Sequence, residues 1–473
     1  MLVPTTLEEA IALLQQLWAE NVRLAARLQE LEARLGQNSA NSSRPPASDP
    51  PQAPRRRRAE PSGRPPGGRP GHERHVRVLR PVEEVDCVVD HFPATCAHCH
   101  QPLASDPALA VGEPRRHQVT EVPPVRAEVT EHRRYLLRCP GCGGETRAPL
   151  PPEVPAGAFG PRAQAVVTLL TGRYRLSRRE VVAVCAELFG LTLSVGAVDD
   201  LCQATRAALA DPVAEVAQAL PTAAVVNMDE TGWKERGKRC WLWVAAAAVV
   251  TVFTIAPSRG RKVLAAILGE EYAGYVGSDR YSAYSGRPPE LRQVCWAHLR
   301  RDFQGLVDYG GRATPVGRLA LILTDRMFHR WHQVRDDPVA WVSFAAETEL
   351  LRAEFRALVE VGAQSPVDKV SGLCHSLLKV WPALWTFTTV PGVEPTNNVA
   401  ERALRPAVLW RKGSFGTQSE HGSQFVARML TVTATCRQQG RSLLDYLTAV
   451  CAAAQRHQPI PSLLPPTTIA QAP

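Results

Sequence analysis

Three acidic residues stand in settings that suit metal-assisted chemistry. Asp229 follows the apolar run Ala223-Ala-Val-Val-Asn-Met228 and opens Asp-Glu-Thr-Gly232, so a buried strand is expected to deliver its carboxylate at the C-terminal end. Asp279 follows Tyr275-Val-Gly-Ser278 in the same way and heads Asp-Arg-Tyr-Ser-Ala-Tyr284. Two carboxylates on neighbouring strands repel unless cations sit between them, and oxygen ligands select hard ions, Mg2+ first. A pair of ions about 4 Å apart activates an attacking oxygen and stabilises the leaving oxygen of a phosphodiester, provided a further acid is present. Glu401 supplies it, one turn into a helix that Thr396 or Asn397 caps, with Arg402 and Arg405 beside it. Each acid alone reads as an ordinary loop or helix cap, and the weight comes from the three in this order.

A second constellation is built from sulfur. Cys96-Ala-His-Cys99 and Cys139-Pro-Gly-Cys142 offer four thiolates, the set that a closed tetrahedral structural Zn2+ requires. The 39 residues between the pairs exceed the spacing of roughly 15–20 usual for this pattern, and His98, His100 and Cys87 are rival ligands. Such a centre has no open position and carries no catalysis. There is neither a G-x-S-x-G elbow nor a G-x-x-x-x-G-K-[ST] phosphate loop, which removes support from serine-nucleophile and ATP-driven readings.

These groups need elements to hold them. The runs at 223–228, 240–244 and 249–255 read as strands, 260–268 as a helix, then strands lead into Asp279 and through 291–296 before a helix begins. Three strands, a helix, a strand and a helix, with Asp on the first and fourth strands, is the order of a ribonuclease H-like sheet. The 122 positions from Asp279 to Glu401 are too many for a loop, so a helical insertion is expected, and residues 315–385 hold four of the ten tryptophans. His298, Arg300 and Arg301 open the helix after the last strand, placed to meet scissile DNA or to orient a carboxylate, while Arg411 and Lys412 are placed to meet phosphates. Upstream, Ser177-Arg-Arg-Glu180 is a capping box, and two helices flank the turn at Gly190 as in a helix-turn-helix, although Asp199 and Asp200 on the second suit phosphate poorly.

The N-terminal region reads differently. Leu7, Leu14, Asn21, Leu28 and Leu35, with Ala10, Leu17, Leu24 and Leu31, form the a and d rows of a coiled coil. A single a-position Asn favours a parallel dimer, and Arg27 and Glu32 occupy g and e positions. From Arg44 to Arg80 there are ten arginines against three acids, and nine prolines, a composition that stays extended. Arg55, Arg56, Arg57 and Arg58 would neutralise DNA phosphates without reading sequence. That segment carries most of the chain's net charge of +9 over 473 residues. No apolar run spans a membrane and no leader is evident, so a cytoplasmic protein with reduced thiols is expected.

The runs Asp229-Glu-Thr-Gly-Trp233, Asp279-Arg-Tyr-Ser-Ala-Tyr284, Cys295-Trp-Ala-His-Leu-Arg-Arg-Asp-Phe303, Asn397-Asn-Val-Ala-Glu-Arg-Ala-Leu-Arg-Pro406 and Arg411-Lys-Gly-Ser-Phe-Gly416 resemble the insertion sequence 66 family of DDE transposases, as does the order of coil, basic arm and double C-x-x-C segment. The resemblance implies a ribonuclease H-like catalytic domain with two Mg2+ ions at Asp229, Asp279 and Glu401. It also implies structural Zn2+ at Cys96, Cys99, Cys139 and Cys142, cleavage and joining at the ends of a mobile element, and small accessory proteins as partners in some elements. The expected organisation is coiled coil 1–36, basic linker 37–80, zinc-binding domain 81–152, helical domain 153–220, catalytic domain 221–308 and 393–456 around an insertion 309–392, and tail 457–473. The rival readings are a metal-dependent nuclease without strand transfer and a DNA-binding regulator that has lost catalysis.

Overall fold

A computed structural model describes residues 6–42, 49, 77–335 and 337–465. The chain divides into two compact units, Arg57–Arg126 and the remainder. The expected phosphate contacts at Arg55, Arg56, Arg57 and Arg58 lie outside the described residues. Among the described residues no helix is long and apolar enough to cross a membrane.

In the smaller unit, no described residue is buried. Its backbone is held by polar contacts, such as Arg77 donating to Thr120 Oγ1 at 2.7 Å and the Arg80 amide donating to Gln118 Oε1 at 2.9 Å. A segment without a core needs another staple to be stable.

The larger unit opens with α1 (Leu7–Leu35), started by a capping box between Thr6 and Glu9 and ended at Gly36. Every leucine of its a and d rows is exposed. Arg27 pairs with Glu30 of the same helix at 2.5 Å. A short antiparallel hairpin, β1 (Leu136–Arg138) and β2 (Glu145–Arg147), is exposed on both strands. Four helices follow, α2 (Pro161–Gly172), α3 (Arg178–Phe189), α4 (Val195–Ala208) and α5 (Ala210–Ala219). Ser177 and Glu180 cap α3 reciprocally, and Gly190 ends it in the left-handed conformation. Asp199, on the face of α4 expected to be awkward for phosphate, instead accepts from Arg178 at 2.7 Å.

The sheet comprises β3 (Val225–Glu235), β4 (Lys238–Ala246), β5 (Thr251–Ala256), β6 (Tyr275–Ser278) and β7 (Arg292–Val294), with α6 (Arg261–Leu268) before β6. Its order is β5-β4-β3-β6-β7; the first three strands pair antiparallel, and β6 and β7 continue parallel to β3. β3 does not stop at Met228 as its apolar run suggests. It continues to Glu235 because β4 pairs with it all the way to a tight turn at Arg236 and Gly237, both with positive φ, so Asp229 lies within the strand.

The faces of the sheet bury different cores, as period-two alternation requires. Leu242, Val244 and Phe253 pack with Ala400, Leu404 and Leu430, whereas Trp243, Ala245 and Val252 join the core shared with the preceding helices. α7 (Trp296–Tyr309) leads into the expected insertion, which holds α8 (Ala313–Val334), α9 (Pro338–Ala363), α10 (Asp368–Lys379) and α11 (Trp381–Trp385) and packs with α7. The two share a core around Trp296, Trp331, Phe355, Trp385 and Phe387. The chain then returns through α12 (Asn398–Ser414), α13 (Glu420–Gln438) and α14 (Leu443–Gln455). α13 covers the edge strand β5, where Thr431 and Thr435 hydroxyls accept from the amides of Phe253 and Thr251 at 3.0 and 3.1 Å.

α7 and α8 approach closely at Gly317, where a Cβ would lie 2.7 Å from the Phe303 carbonyl oxygen and 2.9 Å from the Val307 amide. Helix propensity alone would favour Gly317→Ala by about 1 kcal/mol. Overpacking against backbone costs about 1–3 kcal/mol and should win. Denaturant unfolding is therefore expected to show a lower midpoint for Gly317→Ala, and a higher one would contradict the close approach.

Candidate catalytic site and its relatives

The strand register brings the first two acids together. Val225, Val226 and Asn227 on β3 face Tyr275, Val276 and Gly277 on parallel β6. Two residues beyond the last of these pairs come Asp229, within β3, and Asp279, the first residue after β6. Backbone amides fix both side chains: Glu230 N–H donates to Asp229 Oδ1 and Tyr281 N–H donates to Asp279 Oδ1, each at 2.9 Å.

Glu401 arrives from the far side of the insertion. Asn397 Nδ2 donates to the Met228 carbonyl at 3.3 Å, which pins the start of α12 over β3 one residue before Asp229. The Trp296 amide donates to the Pro395 carbonyl at 2.9 Å, tying the same turn to α7. The three acids share one field: loss of surrounding water, then the charges of Glu230, Asp279 and Glu401, hold the Asp229 carboxyl well above the usual aspartate range. The charges of Asp279 and Glu401 thus reach Asp229, although among the described residues only Cys295, His298 and Glu401 bring three metal-ligand atoms within 4.8 Å of one another.

His298 joins them, with Nδ1 3.5 Å from Glu401 Oε1. Burial, followed by the Arg301 charge, lowers its pKa, so the imidazole is neutral at pH 7. Arg301 Nη2 is 3.8 Å from Glu401 Oε2. Arg300 does not belong to the cluster: it points away and pairs with Asp325 of α8 at 3.0 Å, one helical position around from Arg301. Arg402 and Arg405 are exposed, and no ion pair involves them among the described residues. Arg411 turns onto β3 and donates to Thr231 Oγ1 at 2.9 Å and to the Gly232 carbonyl. Lys412 is exposed.

Three buried polar atoms at Glu401 and its neighbours lack hydrogen-bond partners. Glu401 Oε1, His298 Nδ1 and Asn397 Oδ1 are buried with no hydrogen-bond partner, an expensive arrangement unless another ligand satisfies them. Cys295, His298 and Glu401 present ligand atoms within 4.8 Å of one another. Without a metal, burial pushes the Cys295 thiol up to about 12, so it is protonated there beside the Glu401 carboxylate and a neutral imidazole.

Neighbouring residues with no evident sequence signal brace the acids. Glu230, almost wholly buried, pairs with Arg259 at 2.6 Å and accepts from Tyr284 Oη at 2.5 Å. The Arg259 guanidinium stacks 3.5 Å above the Tyr281 ring. Arg280 spans to Asp302 and Ser376 at 2.6 and 2.7 Å, linking the Asp279 turn to the insertion. Only Glu230 and Arg280 adjoin Asp229 and Asp279 in the chain.

The cysteine pairs form similar knuckles in their own units. In one, the His100 amide donates to the Cys96 carbonyl; in the other, the Gly143 amide donates to the Cys139 carbonyl, both at 2.9 Å. Cys96 is lowered from the ordinary thiol range first by the Cys99 amide and then by that of His98. Cys139 is lowered first by the Cys142 amide and then by that of Gly141. Amides aimed at a sulfur prepare it to be a thiolate ligand.

Fold and site together define a multidomain α/β protein with a zinc-finger segment and an acidic cluster at the sheet. Family models narrow that class: residues 157–425 match the model described as transposase IS66 family, and residues 93–143 match the zinc-finger binding domain of transposase IS66. Residues 3–78 match a family of unknown function, DUF6444. The chain belongs to the IS66 transposase family. Among its relatives, uncharacterized protein y4qI of Sinorhizobium fredii is 25% identical, the match covering 91% of this chain and 81% of the relative. Uncharacterized protein y4hP of the same organism is 26% identical over 77% of this chain and 71% of its own length.

Because native Asp229 holds its proton more tightly than the unfolded chain does, the stability of the metal-free protein should fall as pH rises from about 4 through the raised native pKa. At pH 7.5 without divalent ions, Asp229→Asn is expected to raise Tm by about 2–4 °C per kcal/mol of repulsion removed. Mg2+ should stabilise the parent more than the variant. A variant that melts lower and still responds fully to Mg2+ would refute the shared field.

Proposed function

We propose that the protein binds the ends of a mobile DNA element, cleaves a phosphodiester there and transfers the freed strand to target DNA. The charges of Asp279 and Glu401 acting on buried Asp229, with membership of the IS66 transposase family, support this reading. The strand order, with a helical insertion before α12, supports a ribonuclease H-like catalytic domain. Two Mg2+ ions held by these acids would activate the attacking oxygen and neutralise charge on the leaving one.

The protein's own groups do the rest. Asp229 and Asp279 present carboxylates that neighbouring backbone amides have already oriented. Asn397 and the Trp296–Pro395 contact hold Glu401 over them, and neutral His298 and Arg301 limit how Glu401 can turn. In the first step, a water oxygen loses a proton and bonds to phosphorus while the DNA 3′-oxygen leaves and takes up a proton; in the second, that 3′-hydroxyl gives up its proton and bonds to a target phosphorus while the target strand's own 3′-oxygen leaves and is protonated. Both displacements use the same acids, so no covalent protein intermediate is required.

DNA is further gripped by the basic arm with Arg55, Arg56, Arg57 and Arg58, and by Arg402, Arg405, Arg411 and Lys412. Structural Zn2+ bound by Cys96, Cys99, Cys139 and Cys142 supplies the staple that these coreless segments need, and the zinc-finger family match supports it. Self-association through α1 would cover its exposed leucines.

Purified protein incubated with labelled element ends and Mg2+ is expected to give cleaved and then joined products, while Asp229→Asn, Asp279→Asn and Glu401→Gln bind the ends but fall at least 100-fold in cleavage. Undiminished cleavage in any of the three overturns the assignment, and cleavage without joined products selects the nuclease reading. Removing zinc with a chelator should weaken DNA binding or unfold the cysteine segments. Unchanged binding and fold after measured zinc loss would reject the structural-zinc role.

A further inference from the structure

A cavity of about 510 Å3 lies beyond the acidic cluster, at the far end of the β3–β4 hairpin. Four cations line it: Lys234 and Arg239 from the hairpin, Arg411 and Lys412 from the end of α12. None of the four is in an ion pair among the described residues. Convergent, uncompensated positive charge repels itself and is retained where an anion binds. Half-burial lowers the pKa of Arg411, so its charge is held there against a solvation cost.

The cavity also has an aromatic wall. Phe415 is 77% exposed and adopts φ of 60°, a conformation uncommon for a residue with a side chain. The chain is forced into this shape by its neighbour. Gly416, at φ of 121°, packs so closely that a Cβ would meet the Lys234 carbonyl oxygen, and the Thr417 amide donates to the same oxygen at 2.9 Å. The Arg236 amide in turn donates to the Thr417 carbonyl at 2.9 Å, and Trp233 Nε1 donates to Thr417 Oγ1 at 3.2 Å. A large apolar ring is thus fixed in water beside four cations by a rigid backbone clasp, with no protein group covering it.

We propose that this cavity binds an unpaired stretch of the DNA strand, one base stacking on Phe415 while Lys234, Arg239 and Lys412 take the flanking phosphates. An exposed ring among cations serves single strands, because every base has a face to stack whereas a duplex hides its faces. A phosphate-only site would have no use for the ring. Resting on the transposase reading, the position becomes specific: Arg411 is ten residues along α12 from Glu401, about 15 Å, and Gly232 is three along β3 from Asp229, about 10 Å. Phe415 lies four residues beyond Arg411, so the stacked base is several nucleotides from the scissile phosphate.

The test measures binding of the full-length protein by fluorescence anisotropy without Mg2+, using a labelled oligothymidine, a blunt duplex, and the duplex with a four-nucleotide single-stranded extension. Phe415→Ala should lose about 5- to 100-fold on the single strand and the extended duplex, the worth of one stacked base, with little loss on the blunt duplex. Phe415→Trp should retain binding. Lys234→Gln and Arg239→Gln should each weaken single-strand binding and reduce its salt slope by about one. Equal losses on single strand and blunt duplex, or no loss in Phe415→Ala with an unchanged melting curve, overturn the proposal. Binding without Mg2+ is independent of cleavage, so an inactive protein that still discriminates at Phe415 rejects the transposase chemistry and leaves the cavity assignment standing.

Discussion

Two carboxylates on adjacent parallel strands set the terms for the rest of the molecule. The β3–β6 register puts Asp229 beside Asp279, and the field they share with Glu401 makes charge on Asp229 costly in the metal-free protein. Like charges in a partly dry site are tolerated only when the scaffold gains elsewhere. Here the gain comes from the antiparallel half of the sheet: β3 pairs with β4 over nine residues, far beyond the point where β6 ends. The strand that carries the repulsive residue is therefore the most firmly held in the sheet.

The insertion completes the site from a distance. It shares a core with α7, in which Trp296, Phe355 and Trp385 pack with ring centroids 5.2–6.2 Å apart, and Trp296 Nε1 donates to the Leu384 carbonyl at 2.7 Å. Such pairs contribute beyond area alone. Trp296 also faces the site, because its amide holds Pro395, the turn that launches α12. One residue thus joins insertion packing to the placement of Glu401. His298, two positions on, is buried against that carboxylate, so the helix that organises the insertion also limits the acid's rotation.

The sequence made some of this legible. Apolar runs that end in Asp mark strands that lead to acids, and the Asn-Asn-x-x-Glu helix start marks the third. The strands, α6, the insertion helices and α12 lie close to their expected positions because period and capping are local signals. The end of β3 was not legible: Asp229-Glu-Thr-Gly reads as a loop by composition, and only pairing with β4, a tertiary effect, extends it. The split between Arg300 and Arg301 was equally hidden, since which of two adjacent arginines meets Glu401 depends on the rotation of α7. Glu230 and Tyr284 were inside quoted motifs, yet their contact spans 54 residues and no spacing rule reaches that far.

α12 joins the chemistry to the grip on DNA. Its first turn carries Glu401 and its last turn Arg411 and Lys412, and along one face Ala400, Leu404 and Ala407 pack against Trp233, Leu242 and Val244 of the sheet. A helix buried along one face is a stiff spacer, so the distance from acid to cation is set by rise per residue rather than by loop motion. β3 runs alongside, with Asp229 midway along it and Lys234 near its end. Two rigid elements, each with a carboxylate and, further along, a cation, define a direction for a bound strand. Negative charge repels the backbone where ions must intervene and positive charge holds it where they need not. On the proposed reading, a strand drawn along that gradient would reach the acids from the cation-lined end.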